Sequence, residues 1–223
     1  MQTHLPALLD RLEAAQGVLS LPSADPWRLV LSESLSYLAD APTRAAALEA
    51  LERTVGLAPD ALAAADDATL LAVADPGFLP AAFPEQIRRC AQLALEFHGG
   101  DLTADLGRLS PKAVRAALRA FPAIGAPEAV KILLLCGLST EFTVESNGLR
   151  VLSRLGYGAA MPDYARVLRS AVVAADRELP LDGPLRARAH LLLHRHGQTH
   201  CKRTGPRCRA CPLAARCPGS KPG

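Results

Sequence analysis

Aromatic residues and long apolar runs are both scarce in this chain. Only 4% of its 223 residues are Phe, Trp or Tyr, although 49% are hydrophobic, so we expect a folded core built mainly from Leu, Ala and Val. Apolar stretches such as Ile132 to Cys136 are far shorter than the ~20 residues that a membrane-spanning helix needs. The N-terminus shows no positively charged start followed by an apolar segment, as a signal peptide would. We therefore expect a cytoplasmic protein.

Acidic residues are absent after Asp182. The preceding part of the chain holds 22 acidic and 16 basic residues, whereas the charged residues of the last part are all basic. This asymmetry is typical of proteins that bind nucleic acid, because a basic segment is attracted to phosphates. A charge run can also be an ordinary solvated face, but here it coincides with a group of cysteines, which favours contact with a polyanion. The basic residues after Asp182 are Arg186, Arg188, Arg195, Lys202, Arg203, Arg207, Arg209, Arg216 and Lys221.

Four cysteines near the C-terminus have the spacing C-x6-C-x2-C-x5-C: Cys201, Cys208, Cys211 and Cys217. Thiolates this close in sequence can bind one metal centre, and iron–sulfur clusters and structural zinc both use four of them. The first two cysteines flank a basic turn over 202–207, which a metal centre would hold out as a small loop. Disulfides are not expected in a long, core-rich chain without an export signal.

No part of the sequence shows a sustained two-residue alternation, so the chain predicts an all-α fold. Proline marks several helix starts, at Pro26, Pro42, Pro111 and Pro127, because its missing N–H is harmless in the first helical turn. The predicted helices are 4–16, 27–39, 43–54, 67–74, 84–97, 111–120, 127–137, 143–155, 162–176 and 184–196.

A helix, a tight turn and a second helix are predicted over 118–129. Gly125 in the turn allows the backbone to approach a ligand closely. The second helix opens with unpaired N–H groups and the positive end of its dipole, which suit a phosphate. The predicted contacts are Ile124, Gly125 and Ala126. Alone this pattern is weak, because most helix pairs joined by a glycine turn are merely structural.

The hairpin and the cysteine spacing together resemble endonuclease III and its relatives among the helix-hairpin-helix DNA glycosylases, which repair oxidised bases. The resemblance implies two helical lobes that flank a cleft for double-stranded DNA. It assigns 19–139 to a central domain with the hairpin, and 1–18 plus 140–223 to a domain with an iron–sulfur cluster. The matching segments are 26–31, 118–129, 142–145, 194–197 and the four cysteines, and they cover nearly the whole chain.

The same resemblance implies that the four cysteines hold a [4Fe–4S] cluster with a structural role. The cluster would position Lys202, Arg203 and Arg207 of the basic loop against DNA phosphates. Zinc is the alternative, but zinc sites usually contain two Cys-x2–4-Cys steps, and this chain has one.

The catalytic positions depart from the family pattern and make this chain an atypical member. In the family, a lysine at the mouth of the hairpin helix attacks the sugar and permits strand cleavage, but Pro127 stands there and has no amine. The family aspartate that stabilises the cationic sugar corresponds to Glu145, which is one methylene longer. The histidine two positions later corresponds to Asn147. Lys131 lies one helical turn beyond Pro127 on the same face and is a second candidate nucleophile.

Two of three positions expected to contact DNA also differ from the family, and the third keeps its residue type. Leu38 corresponds to a glutamine that helps fill the gap left by a flipped base. Leu79 aligns with a leucine wedge, although it is equally a candidate core residue. Ala123 replaces a hairpin glycine, which would loosen the phosphate contact.

The function implied by the resemblance is that of a monomeric DNA N-glycosylase of base-excision repair, acting on damaged or mispaired bases. Without the family lysine, AP lyase activity should be absent or very weak, and Glu145 would stabilise the sugar cation and orient a water. The alternative is a non-catalytic DNA-binding paralogue that keeps the fold and the cluster. A third interpretation is an unrelated helical adaptor stapled by zinc.

Overall fold

The computed structural model describes residues 4–21, 23–35, 41–74 and 82–220. Within these ranges the chain forms twelve α-helices and no strand, so the predicted all-α class is confirmed. The helices are α1 (Leu5–Gln16), α2 (Pro26–Leu35), α3 (Ala41–Thr54), α4 (Pro59–Ala64), α5 (Asp67–Ala74), α6 (Phe83–His98), α7 (Leu102–Leu106), α8 (Pro111–Arg119), α9 (Ala126–Leu135), α10 (Ser146–Arg154), α11 (Tyr164–Asp176) and α12 (Gly183–Thr199).

Capping signals in the sequence locate the helix starts. α2 begins at Pro26, as the proline predicts. The Ser110 hydroxyl accepts the Ala113 N–H at 3.4 Å before α8, and the Asp182 carboxylate accepts the Leu185 N–H at 2.7 Å before α12. Each cap pairs a donor that the first helical turn leaves unsatisfied.

Some predicted helix bounds differ from the structure. α10 begins at Ser146 rather than at 143, because the side chain of Glu145 caps it. α12 continues to Thr199, past the predicted end at 196. The short helices α4 and α7 are missing from the predicted set, since five or six residues are too few to show a helical period.

The first of two compact units joins Met1–Pro22 to Gly137–Gly223. α1 and α10 both pack on α12, around a core of leucine and valine. α10 and α12 come closest at Gly197, where a Cβ would lie 2.5 Å from the Asn147 carbonyl oxygen. Only glycine permits this approach, which brings α12 against the first turn of α10.

The second unit is Ser23–Cys136. In it α6 packs against α2 and α4, and α8 packs against α9. The turn between α8 and α9 is anchored by Phe121, which is buried with its ring centroid 6.2 Å from that of Trp27 on α2. The hairpin is therefore fixed to the core rather than free. No helix in the described ranges is long and apolar enough to cross a membrane.

Candidate functional site

Glu145 is the N-cap of α10 and uses both carboxylate oxygens there. Oε1 accepts the Gly148 N–H at 3.1 Å. Oε2 accepts the Asn147 N–H at 3.1 Å and the Asn147 side-chain amide at 3.2 Å. The longer side chain folds back onto its own helix, and the helix dipole also favours a negative charge at this end.

His194 of α12 makes a further contact with this carboxylate. Its Nδ1 lies 2.7 Å from Glu145 Oε1, and the two side chains are 18% and 26% exposed. The ring nitrogen has no well-aligned acceptor, so the two groups are in close contact without a well-formed hydrogen bond. Sequence analysis placed His194 in a matching segment but gave it no role, because nothing in the sequence pairs it with Glu145.

The Glu145 carboxylate is strongly ionised. Burial alone would raise its pKa, but the adjacent His194 side chain, together with the backbone N–H groups of Asn147 and Gly148, lowers the pKa to about 2. A carboxylate with so low a pKa is a weak proton acceptor near neutral pH. It is well suited to stabilise a positive charge that develops beside it.

The hairpin turn keeps an unusual backbone conformation without glycine. Ala123 has φ 62°, and among the described residues it alone has positive φ without being glycine. Gly125 has φ −81°, so the backbone conformation at this position does not require a glycine. Ala123 therefore holds a left-handed conformation, which costs an alanine local strain.

The amide donors of the hairpin are fewer than the sequence suggests. The Gly125 N–H donates to Glu128 Oε2 at 3.1 Å, and Pro127 has no N–H. A Glu128 carboxylate at this position also opposes the approach of a phosphate. The predicted phosphate contacts at Ile124, Gly125 and Ala126 remain predictions, and this carboxylate weakens them.

Lys131 is held in an ion-paired group on the second unit. Its Nζ lies 2.8 Å from Glu33 Oε1, and both side chains are 14% exposed. Arg44 approaches the same carboxylate at 3.3 Å. The amine of a Schiff-base nucleophile must be free to reach the sugar, whereas the Lys131 amine is held by this carboxylate and is largely buried. This contact argues against Lys131 as the nucleophile.

The four cysteines line one cavity, which encloses about 380 Å³ with its open mouth included. Aliphatic side chains, among them Val151, Leu155 and Leu213, form much of the remaining wall. Among the described residues, no three Cys, His, Asp or Glu side chains are close enough to bind one metal ion. Thiolates are the ligands of iron–sulfur clusters and of structural zinc, so the lining of the cavity is compatible with a cluster.

Two arginines of α10 hold the loop that leaves this cavity. Arg154 Nη1 donates to Cys201 Sγ at 3.2 Å and to the Lys202 carbonyl at 2.8 Å. Arg150 Nε donates to the Cys201 carbonyl at 2.7 Å. With its backbone held in this way, the loop exposes the side chains of Lys202, Arg203 and Arg207.

Part of the C-terminal basic charge is used inside the first unit. Arg186 is 3% exposed and donates to three backbone carbonyls. Arg188 donates to Glu13 at 2.6 Å. The charge count from the sequence therefore overstates what a polyanion can reach. The exposed cations among the described residues after Asp182 are Arg195, Lys202, Arg203, Arg207, Arg209 and Arg216.

This chain is similar to known proteins in sequence and in structure, although no protein-family model matches it. Endonuclease III of Sulfolobus acidocaldarius is 25% identical over 210 residues, which cover 94% of this chain and 89% of the relative. The chain resembles the endonuclease III family. The resemblance predicted from the sequence is thereby confirmed.

Solved structures of endonuclease III and of a related glycosylase share the fold. A trapped covalent endonuclease III–DNA intermediate has a TM-score of 0.74 at 18% identity, with 99% of this chain and 98% of that chain covered. A non-covalent endonuclease III–DNA complex gives 0.75 at 19%, covering 99% and 96%. A thermostable thymine-DNA glycosylase gives 0.74 at 15%, covering 97% and 96%.

Two positions compared with the endonuclease III family, Leu38 and Leu79, lie outside the described residues, as does Lys221 of the basic segment. The assignment of Leu79 as a wedge that enters the DNA stack stays a prediction.

Proposed function

We propose that this protein is an endonuclease III-like DNA N-glycosylase of base-excision repair, which removes damaged or mispaired bases from duplex DNA with little or no AP lyase activity. The ionised Glu145 carboxylate at the start of α10 carries the proposal, because cleavage of a glycosidic bond develops positive charge on the sugar. A fixed anion beside that sugar stabilises the transition state more than the ground state.

Glu145 has two parts in this mechanism. Its charge stabilises the cationic sugar as the base departs, and an oxygen lone pair orients the attacking water. Its low pKa makes it a poor proton acceptor, so the attacking water passes its proton to bulk solvent after bond formation. The target base is flipped out of the duplex to reach the site.

Strand cleavage through a Schiff base requires an amine, and Pro127 at the family's lysine position has none. Lys131 stays a second candidate for that role, although its amine is held by Glu33 at 2.8 Å and would have to leave this partner to react. Base release without strand cleavage is therefore the expected chemistry.

A [4Fe–4S] cluster is the proposed occupant of the cavity lined by Cys201, Cys208, Cys211 and Cys217. When bound it would supply structural support to the loop that follows Cys201. The chain's own arginines already hold the backbone of this loop, and the exposed Lys202, Arg203 and Arg207 would contact phosphates. We propose a monomer that binds double-stranded DNA.

A non-catalytic DNA-binding paralogue is the alternative. It is favoured by the complete use of Glu145 as a helix cap, which would explain this residue without any chemistry. It is favoured as well by Pro127, which removes the lyase nucleophile.

Labelled duplexes that carry thymine glycol, uracil or an abasic site would test the proposal. Excess protein is added, and samples are quenched with and without hot alkali, with borohydride trapping in parallel. Cleavage only after alkali supports a monofunctional glycosylase. Cleavage without alkali together with a trapped adduct would make an amine the nucleophile, with Lys131 the first to replace. Good binding without base release would favour the paralogue.

A further inference from the structure

The contact between His194 and Glu145 is produced by close packing of α12 on α10. Gly197 lies against the Asn147 carbonyl, where a Cβ would approach to 2.5 Å, and a Cβ on Gly148 would lie 3.6 Å from Leu193 Cβ. Gly197 is the position that permits the close approach of the two helices, while the contact between Gly148 and Leu193 has ordinary van der Waals spacing. His194 therefore reaches the carboxylate because of the backbone approach and not through a flexible surface contact.

The 2.7 Å separation of His194 Nδ1 and Glu145 Oε1 places the imidazole ring directly against the carboxylate, although Nδ1 has no well-aligned acceptor in this geometry. The ring therefore limits the space in which the carboxylate can move. Arg150 on α10 is another charged group near this site, and its Nη2 donates to Asn147 Oδ1 at 2.6 Å. On α12 and α1, Arg188 is paired with Glu13 and Asp10.

Glu145 has one more rotatable bond than an aspartate and needs a second anchor to hold a single position. The backbone amides of α10 hold one side of the carboxylate, and α12 supplies the other. We infer that His194 is a positioning residue that fixes the Glu145 carboxylate at the start of α10 as an anion. The catalytic meaning of this inference rests on the proposed glycosylase function, whereas the contact itself does not.

Carbon-13 NMR of glutamate labelled at the side-chain carboxyl would test the contact in the full-length protein. The Glu145 signal is assigned from its loss in Glu145→Gln and is followed through an acid titration. Wild-type Glu145 should titrate with a pKa of about 2. His194→Gln removes the charge and should raise that pKa by about one unit or more. Arg195→Gln is the matched control, because Arg195 is exposed on the same helix, and it should leave the Glu145 pKa unchanged.

Single-turnover base release would test the positioning role. His194→Gln should lower the rate at saturating DNA by about tenfold or more, because a shift of about 1 Å at a reacting group costs ~10²-fold, and should leave DNA affinity unchanged. In a Glu145→Asp background the same change should have little further effect, since the shorter side chain no longer reaches His194.

The outcomes separate this inference from the proposed function. A Glu145 pKa that is the same in wild type and in His194→Gln overturns the inference, whether or not the protein releases bases. A raised pKa with an unchanged rate of base release overturns the positioning role alone. A protein that releases no base but shows the pKa rise keeps the contact and loses the glycosylase proposal.

Discussion

Glu145 combines a structural and a proposed chemical role in one side chain. As a cap it accepts hydrogen bonds from the first amides of α10. As an anion it would stabilise a cationic sugar that forms beside it. The two roles are compatible, because the hydrogen bonds that cap the helix are the same ones that lower the carboxylate pKa. A glutamate at an aspartate position is thus a change of length rather than a loss of the charge.

The depressed pKa of Glu145 makes a contribution to stability that depends on pH. Its pKa falls from 4.5 to about 2 on folding, so the contribution is complete above pH 4.5 and is lost as pH falls towards 2. The free energy of unfolding of wild type, minus that of Glu145→Gln, should be larger at pH 7 than at pH 3 by about 2 kcal/mol. Urea unfolding at the two pH values measures it, and an equal difference at both would contradict the assigned pKa.

Ala123 is strained in the left-handed region at φ 62°. Alanine costs about 1–2 kcal/mol there, while glycine loses about 0.5–1 kcal/mol of backbone entropy on folding. Ala123→Gly should therefore stabilise the protein by about 0.5–1 kcal/mol in urea unfolding. Ala120→Gly is the control at an ordinary φ of −73°, and it should destabilise. Destabilisation by both changes would mean that the turn is unstrained.

The limits of the sequence are clearest at this scale. It identified Glu145 through its place in a family pattern, but it could not pair Glu145 with His194, because the two are distant in the chain and meet only through helix packing. It also counted Arg186 among the surface cations, although the structure buries it under backbone carbonyls.

At the scale of elements, the α8–α9 hairpin contains a carboxylate that competes with phosphate for the Gly125 N–H. Glu128 accepts the Gly125 N–H and places a negative charge at the helix start. Glu128→Gln removes this charge and should strengthen DNA binding, most at low salt, because a phosphate then approaches the helix start without repulsion. Affinity measured over a range of salt concentrations tests it.

Glu85→Gln is the matched control for this experiment, because Glu85 is an exposed acidic residue in the first turn of α6 in the same unit. It removes the same charge away from the hairpin. Equal effects of the two variants on DNA affinity would show that only the overall charge matters, and not the position of Glu128 in the hairpin.

The basic loop of 202–207 is the second element that should contact DNA. Arg203→Glu should weaken binding on any sequence by about tenfold, since it converts a phosphate attraction to a repulsion. Arg166→Glu on α11, a side chain 71% exposed in the same unit, should have a much smaller effect. Unchanged affinity in Arg203→Glu would remove the loop from the interface.

Helix positions were largely predictable from caps and prolines, because these signals are local. The start of α10 was misplaced because its cap, Glu145, is a glutamate and not one of the usual N-cap residues. The bounds of α4 and α7 could not be read from periodicity. The blocked amide at Gly125 was also invisible, because a glutamate three residues into a helix is an ordinary helix start in sequence.

At the scale of the whole molecule, the open question is which metal centre the four cysteines bind, and we expect an iron–sulfur cluster. Purified protein should be yellow-brown and contain iron and inorganic sulfide in equal amounts. Cys217→Ser should lose the colour, and thermal unfolding should show a lower Tm, because cluster binding stabilises the folded unit. Zinc in place of iron would contradict the cluster and revive the zinc interpretation.

The central claim is that this endonuclease III-like protein releases bases through Glu145. The most direct measurement is single-turnover base release from lesion-bearing duplexes by wild type and Glu145→Gln, with DNA affinity measured on the same preparations. We expect alkali-dependent cleavage by wild type, its loss in Glu145→Gln by about a hundredfold or more, and similar affinity for both. Base release that persists in Glu145→Gln would contradict the account.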